Sequence, residues 1–319
     1  MARPYLPLAC FGFTLAFVPA TFAFQATITP RVLARPTVEP PGLLRSDSSL
    51  VVIPTHVTTD IGASVTSLTK ENFRLIEDNV EQPIVHFDKD DAPLSIGLLF
   101  DRSGSMRDKM QKAEEAVTAF FKTANTADEF FLVEFSDRAR LTVPFTPDSG
   151  MLFERISHTK PFGMTSLLDA IHLSLGQMKK AHNLRKALVV ISDGGDNWSR
   201  HSAREVRNTL VESDVQLYSM GIFDPDYSTK HEAETRNGPA LLDELAKQTG
   251  GRNFPVDNLN DLPSISAKIG NELRNEYLLG YYSGAVRDGK YHQVRVKLTG
   301  TDDLPPLRTY FRKGYYAPQ

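Results

Sequence analysis

Leu94 to Phe100 reads Leu-Ser-Ile-Gly-Leu-Leu-Phe, a nearly unbroken apolar run that stops at Asp101. A run this short and this uniformly apolar predicts a central parallel strand covered on both faces. Immediately beyond it Asp101, Ser103 and Ser105 alternate, and Gly104 gives the backbone freedom to fold them inward. Alternation in an extended loop turns every second side chain the same way, so one carboxylate and two hydroxyls converge. These are hard oxygen donors, few in number, that suit a magnesium-type cation with positions left for water and a partner. The competing reading is a capped helix start, with Ser103 or Ser105 accepting from the first amides of the next helix.

The chain that follows alternates helix and strand. Met106, Met110, Ala113, Val117, Phe120 and Phe121 recur at helical spacing and define one apolar face. Phe130–Phe135 is a compact apolar strand interrupted by Glu134, and Leu141–Phe145 reads as an edge strand blunted by Pro144. Helices are expected over Leu152–Ile156 and Ser166–Lys180. Ala187–Ile191 is a second buried strand, ended by Ser192-Asp193-Gly194-Gly195. Helix, strand, helix, strand and helix then follow at Glu205–Val211, Gln216–Ile222, Leu241–Thr249, Asn253–Val256 and Leu262–Arg274. This order predicts an α/β fold with a doubly wound, mostly parallel, Rossmann-like sheet. Ligands of such sheets sit beyond the carboxyl ends of the strands, where Asp101 and Asp193 both fall.

The flanks read differently. Leu50–Val57 is β-branched and apolar, and further strand-like stretches carry Leu68, Phe73, Leu75, Ile76, Ile84, Val85 and Phe87. Asp60–Ala63 and Glu77-Asp78-Asn79 supply turns, so residues 48–92 predict a small antiparallel β segment. Asp88-Lys89-Asp90-Asp91 lacks the spaced ligands and glycine of an EF-hand and reads as a solvated linker. After Asn275, Tyr277–Tyr282, Tyr291–Leu298 and Leu307–Phe311 again look like strands, and Asp288-Gly289 suggests a hairpin turn. Residues 48–92 and 273–319 are therefore expected to pair into one small antiparallel β domain that flanks, or receives as an insertion, the α/β unit of residues 93–272; the alternative is two separate small β pieces.

Residues 1–26 have a positive start at Arg3 and an apolar core from Leu6 to Val18. Small residues around Ala20 and Ala23 follow, which predicts a secretory signal peptide cut between Ala20 and Ala26. The apolar core is short for a bilayer span, so no transmembrane span is expected in the mature chain. Residues 27–47 are proline-rich without periodicity and read as a flexible tether. The only cysteine, Cys10, lies in the leader, which leaves a mature chain without disulfides, thiolate metal sites or a cysteine nucleophile. A net charge of −3 and a pI of about 6.3 give no basic field for nucleic acid.

A third element lies in Phe162-Gly163-Met164-Thr165-Ser166, where Gly163 permits a tight turn and Thr165 offers a hydroxyl. Together, Asp101-x-Ser103-x-Ser105, Thr165 and Asp193 resemble the metal-ion-dependent adhesion site of von Willebrand factor type A domains, in the same chain order and loops. The flanks, notably Leu68-Thr69-Lys70-Glu71-Asn72-Phe73, Tyr277–Tyr282 and Gly314-Tyr315-Tyr316, look like those of exported bacterial von Willebrand type A-related proteins prominent in Acidobacteria. The resemblance implies Mg²⁺ or Mn²⁺ bound directly by the Ser103 and Ser105 hydroxyls. It implies that Thr165, Asp101 and Asp193 bind directly or through water, and that a protein partner supplies an Asp or Glu carboxylate. Exchange of Thr165 and Asp193 between the two modes would couple capture to the last helix. Trp198, just beyond Asp193, reads first as packing on its loop, with a role as a rim anchor as the alternative.

Enzyme signatures are missing from the sequence: there is no Gly-x-Ser-x-Gly elbow with partners, no phosphate-loop Gly-Lys-Ser/Thr and no His-Glu-x-x-His. An aspartate-based phosphatase would want a second carboxylate at position 103, which is serine. The expectation is an exported, non-catalytic, adhesion-type binding protein, located in the periplasm, at the cell envelope or outside the cell. Its alternatives are a structural envelope protein whose metal only stabilises loops, and a metal-dependent phosphoryl hydrolase.

Overall fold

The computed structural model describes residues 50–89, 91–193, 195–222, 232–284, 288–301 and 303–317. The expected signal peptide (1–26) and tether (27–47) lie outside the described residues. The chain runs through β1 (Leu50–Thr59), β2 (Phe73–Glu77), β3 (Val80–Gln82) and β4 (His86–Asp88) into β5 (Leu94–Asp101). Next come α1 (Met110–Phe121), β6 (Glu129–Phe135), β7 (Ala139–Thr146), α2 (Ser149–Ser157), α3 (Leu167–Met178) and β8 (Arg185–Ser192). The α/β part ends with α4 (Ala203–Glu212), β9 (Gln216–Ile222), α5 (Glu232–Thr249), β10 (Asn253–Val256) and α6 (Leu262–Arg274). Four strands close the chain: β11 (Glu276–Tyr282), β12 (Tyr291–Leu298), β13 (Leu307–Phe311) and β14 (Gly314–Tyr316).

The central sheet has six strands in the order β10-β9-β8-β5-β6-β7, parallel except for the edge strand β7, which runs antiparallel to β6. Every residue of β5 is buried, as its unbroken apolar sequence requires. Its alternate side chains serve two cores. Leu94, Ile96, Leu98 and Phe100 pack with α1, α2 and α6 on one face, whereas Leu99 joins α3, α4 and α5 on the other. The doubly wound reading of the sequence holds, and the buried strand ends deliver Asp101 and Ser192 to the same edge of the sheet.

The flanks form two four-stranded antiparallel sheets, β13-β1-β11-β4 and β14-β12-β2-β3. Each mixes strands from both ends of the chain: β1 pairs with β11 from Leu50↔Tyr282 to His56↔Glu276, and β2 pairs with β12. One core joins them, with Ile53, Phe73, Leu75, Tyr277, Leu279, Tyr281 and Val294 buried together. Glu77, buried in it, accepts from the hydroxyls of Tyr281 (2.9 Å), Ser283 (2.9 Å) and Tyr315 (2.5 Å), so the acid is satisfied.

Two details differ from the sequence reading. β11 and β12 are not a hairpin: each pairs within a different sheet, so Asp288-Gly289 lies in a crossover from one sheet to the other. The β2–β3 hairpin, by contrast, is real, and Asp78 and Asn79 take the positive φ values (44° and 70°) that its two-residue turn demands. Second, α1 starts at Met110, four residues later than the apolar spacing begins. Gly104–Met106 instead form a short 3-10 turn that carries Met106, still buried, under the loop.

The described residues cluster as one unit, and the insertion is fastened at its two ends. Arg274, the last residue of α6, pairs with Asp91 (2.8 Å) and Asp128. Arg185, at the start of β8, donates to the Ala92 carbonyl (3.1 Å) and to Glu276 (2.8 Å), while Gln216 also donates to Glu276 (2.6 Å).

Candidate functional site

Three loops meet at the carboxyl edge of the central sheet. The first leaves β5 at Asp101, a fully buried carboxylate. Its Oδ1 accepts from the Ser103 amide (2.8 Å) and its Oδ2 from the Ser192 hydroxyl (2.5 Å), so both oxygens are held by their neighbours. Ser103 Oγ and Ser105 Oγ lie 3.0 Å apart. Neither hydroxyl caps a helix: the 3-10 turn after Ser103 has no side-chain cap, and α1 begins beyond Lys109. The helix-cap reading of these serines therefore fails, and the two hydroxyls are left facing each other.

The second loop carries Thr165 and is locked to the first. Gly104 donates to the Gly163 carbonyl (2.9 Å), and Phe162 donates to the Arg102 carbonyl (2.8 Å). Gly163 has φ +79°, and a β-carbon there would stand 2.5 Å from Asp137 Oδ1, so glycine is required twice over. Asp137 Oδ1 accepts from the Met164 amide (2.7 Å), which fixes the turn just before Thr165.

The third loop follows β8 and holds the second. Asn197 Oδ1 accepts from the Thr165 amide (2.9 Å), and the Asn197 and Trp198 amides donate back to the Thr165 carbonyl (3.1 and 3.0 Å). The same loop covers the start of α3: Asp196 Oδ1 accepts from the Leu168 amide (3.2 Å) and Ser199 Oγ from the Asp169 amide (3.1 Å). These bonds satisfy amides that a helix N-terminus leaves open. Asp196, Asn197, Ser199 and Ser192 were not singled out from the sequence for this work. No spacing rule places a loop residue beneath a helix start.

Electrostatically the site is acidic and enclosed. Burial, reinforced by the nearby Asp193 carboxylate, pushes the Asp101 carboxyl up to about 7. A buried carboxylate beside a second carboxylate favours a cation between or beside them. One cation is built in: Lys109 Nζ lies 3.4 Å from Asp193 Oδ2, with both side chains less than a tenth exposed. Of the five expected positions, Asp101, Ser103 and Thr165 are buried, and Ser105 and Asp193 are half-buried. The loops that carry all five are hydrogen-bonded to one another. Gly194 lies outside the described residues.

Among the described residues, no group of three or more His, Cys, Asp or Glu side chains is placed to hold a metal. The donor set here consists of two carboxylates and three hydroxyls, so its chemistry is that of hard oxygens. Trp198 is 57% exposed, with its amide bonded to the Thr165 carbonyl, and Phe162 and Met164 are exposed in the neighbouring loop.

Comparison with known proteins agrees with this architecture. The family model described as von Willebrand factor type A domain matches residues 96–195. An uncharacterized protein of Borreliella burgdorferi is 24% identical over 169 residues, covering 48% of this chain and 49% of the relative. The chain thus spans about half the length of that curated relative. Among solved structures, proximal thread matrix protein 1 from the mussel byssus superposes with a TM-score of 0.50 at 16% identity, over 62% of this chain and 51% of that one. A von Willebrand factor type A protein from Catenulispora acidiphila gives a TM-score of 0.49 at 12% identity, covering 85% of this chain and 75% of its own. The matched segment runs from within β5 to the first residues of the loop after β8 and contains all five expected positions, and with the doubly wound sheet it marks a von Willebrand factor type A-type domain over this stretch.

Proposed function

We propose that this chain is an exported protein-binding module in which a divalent cation, Mg²⁺ or Mn²⁺, captures an acidic group of a partner protein. In this reading Ser103 and Ser105 hold the ion through their hydroxyls. Thr165, Asp101 and Asp193 complete the protein's share, directly or through water. The observation that carries it is the pair of serine hydroxyls, 3.0 Å apart behind a buried aspartate and committed to no helix cap. Asp101, with both oxygens already engaged, contributes negative charge and fixes the loop, a role suited to water-mediated contact. A bound divalent ion would offer an electrophilic position to one further anionic oxygen.

The type A fold is generally a non-catalytic protein-interaction module, which favours binding over catalysis. Export rests on the leader-like residues 1–26. Among the described residues no helix is long and apolar enough to cross a membrane. The alternative in which an ion serves only to staple the loops is weakened by the direct bonds that already join them, Gly104 to Gly163 and Thr165 to Asn197.

Titration calorimetry with MgCl₂ and MnCl₂ tests the ion site, and a pull-down from the native cell envelope with and without chelator tests capture. The reading expects binding of one ion, lost in Asp101→Ala, and partner capture that chelator abolishes. Partner capture that ignores both chelator and Asp101→Ala overturns it.

A further inference from the structure

Beside the three loops a cavity opens between β6, β7, α2 and the Phe162 turn, with a volume of about 280 Å³. Four arginines line it: Arg102, Arg138, Arg140 and Arg155. Arg102 sits in sequence between Asp101 and Ser103, so the first loop faces the cation position with alternate residues and this cavity with the one between them.

Two carboxylates share the cavity, and both are already engaged. Glu134, 1% exposed, accepts from Arg155 Nε (2.6 Å) and from the Thr159 hydroxyl. Asp137 accepts from the Met164 amide and buttresses Gly163. Arg102 reaches Glu134 only at 3.9 Å, its guanidinium lies 4.4 Å above the Phe162 ring, and its buried Nε makes no hydrogen bond. Arg140 stands opposite Glu134 across the β6–β7 pairing, and the side chains of Arg138 and Arg140 are exposed. Positive charge is thus left over in a protein whose net charge is −3.

We propose that this arginine-lined cavity is a second anion subsite, which receives a side-chain carboxylate of the same acidic polypeptide segment whose first carboxylate meets the cation. The proposal rests on the metal-dependent reading above and adds the kind of partner. Guanidinium groups recognise carboxylates through charge-assisted, often bidentate hydrogen bonds. The volume is below the range of pockets that enclose whole small ligands, roughly 300–1,000 Å³, and suits a side chain. Phe162, Met164 and Trp198, exposed on the adjoining loops, offer apolar contact to the residues that flank the two acids. A doubly acidic peptide with apolar residues complements all three features.

The test uses labelled octapeptides with one Asp, or with two Asp separated by one to four residues, read by fluorescence anisotropy in MgCl₂. The best two-Asp peptide should bind about tenfold tighter or more than the one-Asp peptide, the gain of one added charge-assisted contact. In Arg138→Glu/Arg140→Glu, exposed positions whose folding is checked by thermal unfolding, that gain should vanish. No gain at any spacing, or a gain that survives the double substitution, overturns the proposal. A heparin hexasaccharide that displaces the two-Asp peptide at lower concentration than poly-glutamate does also overturns it, in favour of a sulfated glycan. Calorimetry with MgCl₂ alone reads the ion site independently. No heat there, together with an intact arginine-dependent gain in chelator, removes the metal reading and leaves the arginine subsite standing.

Discussion

The Lys109 ammonium lies 3.4 Å from Asp193 Oδ2, inside the ring of loops that carries every proposed ion ligand. A lysine there stabilises Asp193 while no ion is bound, and it opposes any divalent cation that approaches the site. Both effects follow from Coulomb's law in a site with little water.

Lys109→Met should therefore tighten Mg²⁺ by about tenfold or more in calorimetry, since a fixed positive charge beside the ion has gone. In chelator the same variant should lose roughly 3–5 kcal/mol of unfolding free energy, because Asp193 then lacks its cation. Adding Mg²⁺ should restore most of it by mass action. Weaker Mg²⁺ binding in the variant would mean that the lysine supports the ion rather than rivals it.

Gly163→Ala places a methyl group against Asp137 at a backbone angle that alanine disfavours. The expected loss is about 1–3 kcal/mol in urea denaturation. Thr165 lies two residues downstream, so the variant should also bind Mg²⁺ more weakly. A fully stable variant with unchanged ion affinity would show that the turn is not needed to aim Thr165.

His56 and Glu272 meet at the seam between the sandwich and α6, 4.0 Å apart and fully buried. Burial lowers the imidazole from 6.5 to about 4 and raises the Glu272 carboxyl from 4.5 to about 7. His56 binds its proton less readily folded than unfolded, so its contribution is present above pH 6.5 and is lost as pH falls towards 4. Glu272 holds its proton more tightly folded than unfolded, so its contribution is present below 4.5 and is lost as pH rises through 7. The two slopes oppose each other. Glu272→Gln should make stability fall more steeply on acidification from 6.5 to 4, and His56→Gln should make it fall on going from 4.5 to 7. Urea midpoints across that range check both signs.

Glu276 is the acid on which Arg185 and Gln216 converge, at 2.8 and 2.6 Å. Glu276→Ala strands a guanidinium that is itself 7% exposed, at a cost of about 3–5 kcal/mol. Combining Arg185→Met with Glu276→Leu should recover much of that loss, because apolar replacements of a buried pair are tolerated better than half of it. A double-mutant cycle in urea gives the coupling directly.

The central sheet was legible because its strands are buried on both faces and therefore uniformly apolar, Leu94–Phe100 and Ala187–Ile191 above all. The loop positions of Asp101 and Asp193 followed from where those runs stop. Strand partnership was less accessible: alternation in Tyr291–Leu298 says that one face is buried, not which neighbour it joins, so β11 and β12 looked like a hairpin and are not. Lys109 sat among ordinary helix-start residues, and only the folded loop shows that its long stem reaches Asp193. Glu134 read as an interruption of an apolar strand, although Arg155 and Thr159 from α2 and its exit satisfy it. Such pairings depend on residues more than twenty positions away, beyond any local pattern.

Arg274 and Arg185 bring the chain's way into the α/β unit, at Asp91 and Ala92, beside its way out, at Glu276. A passenger whose two ends are clasped side by side burdens its host with little more than the entropy of one closed loop. The sandwich can in this sense act as a handle, so that related chains could exchange the reading head, or the handle, without redesigning the other.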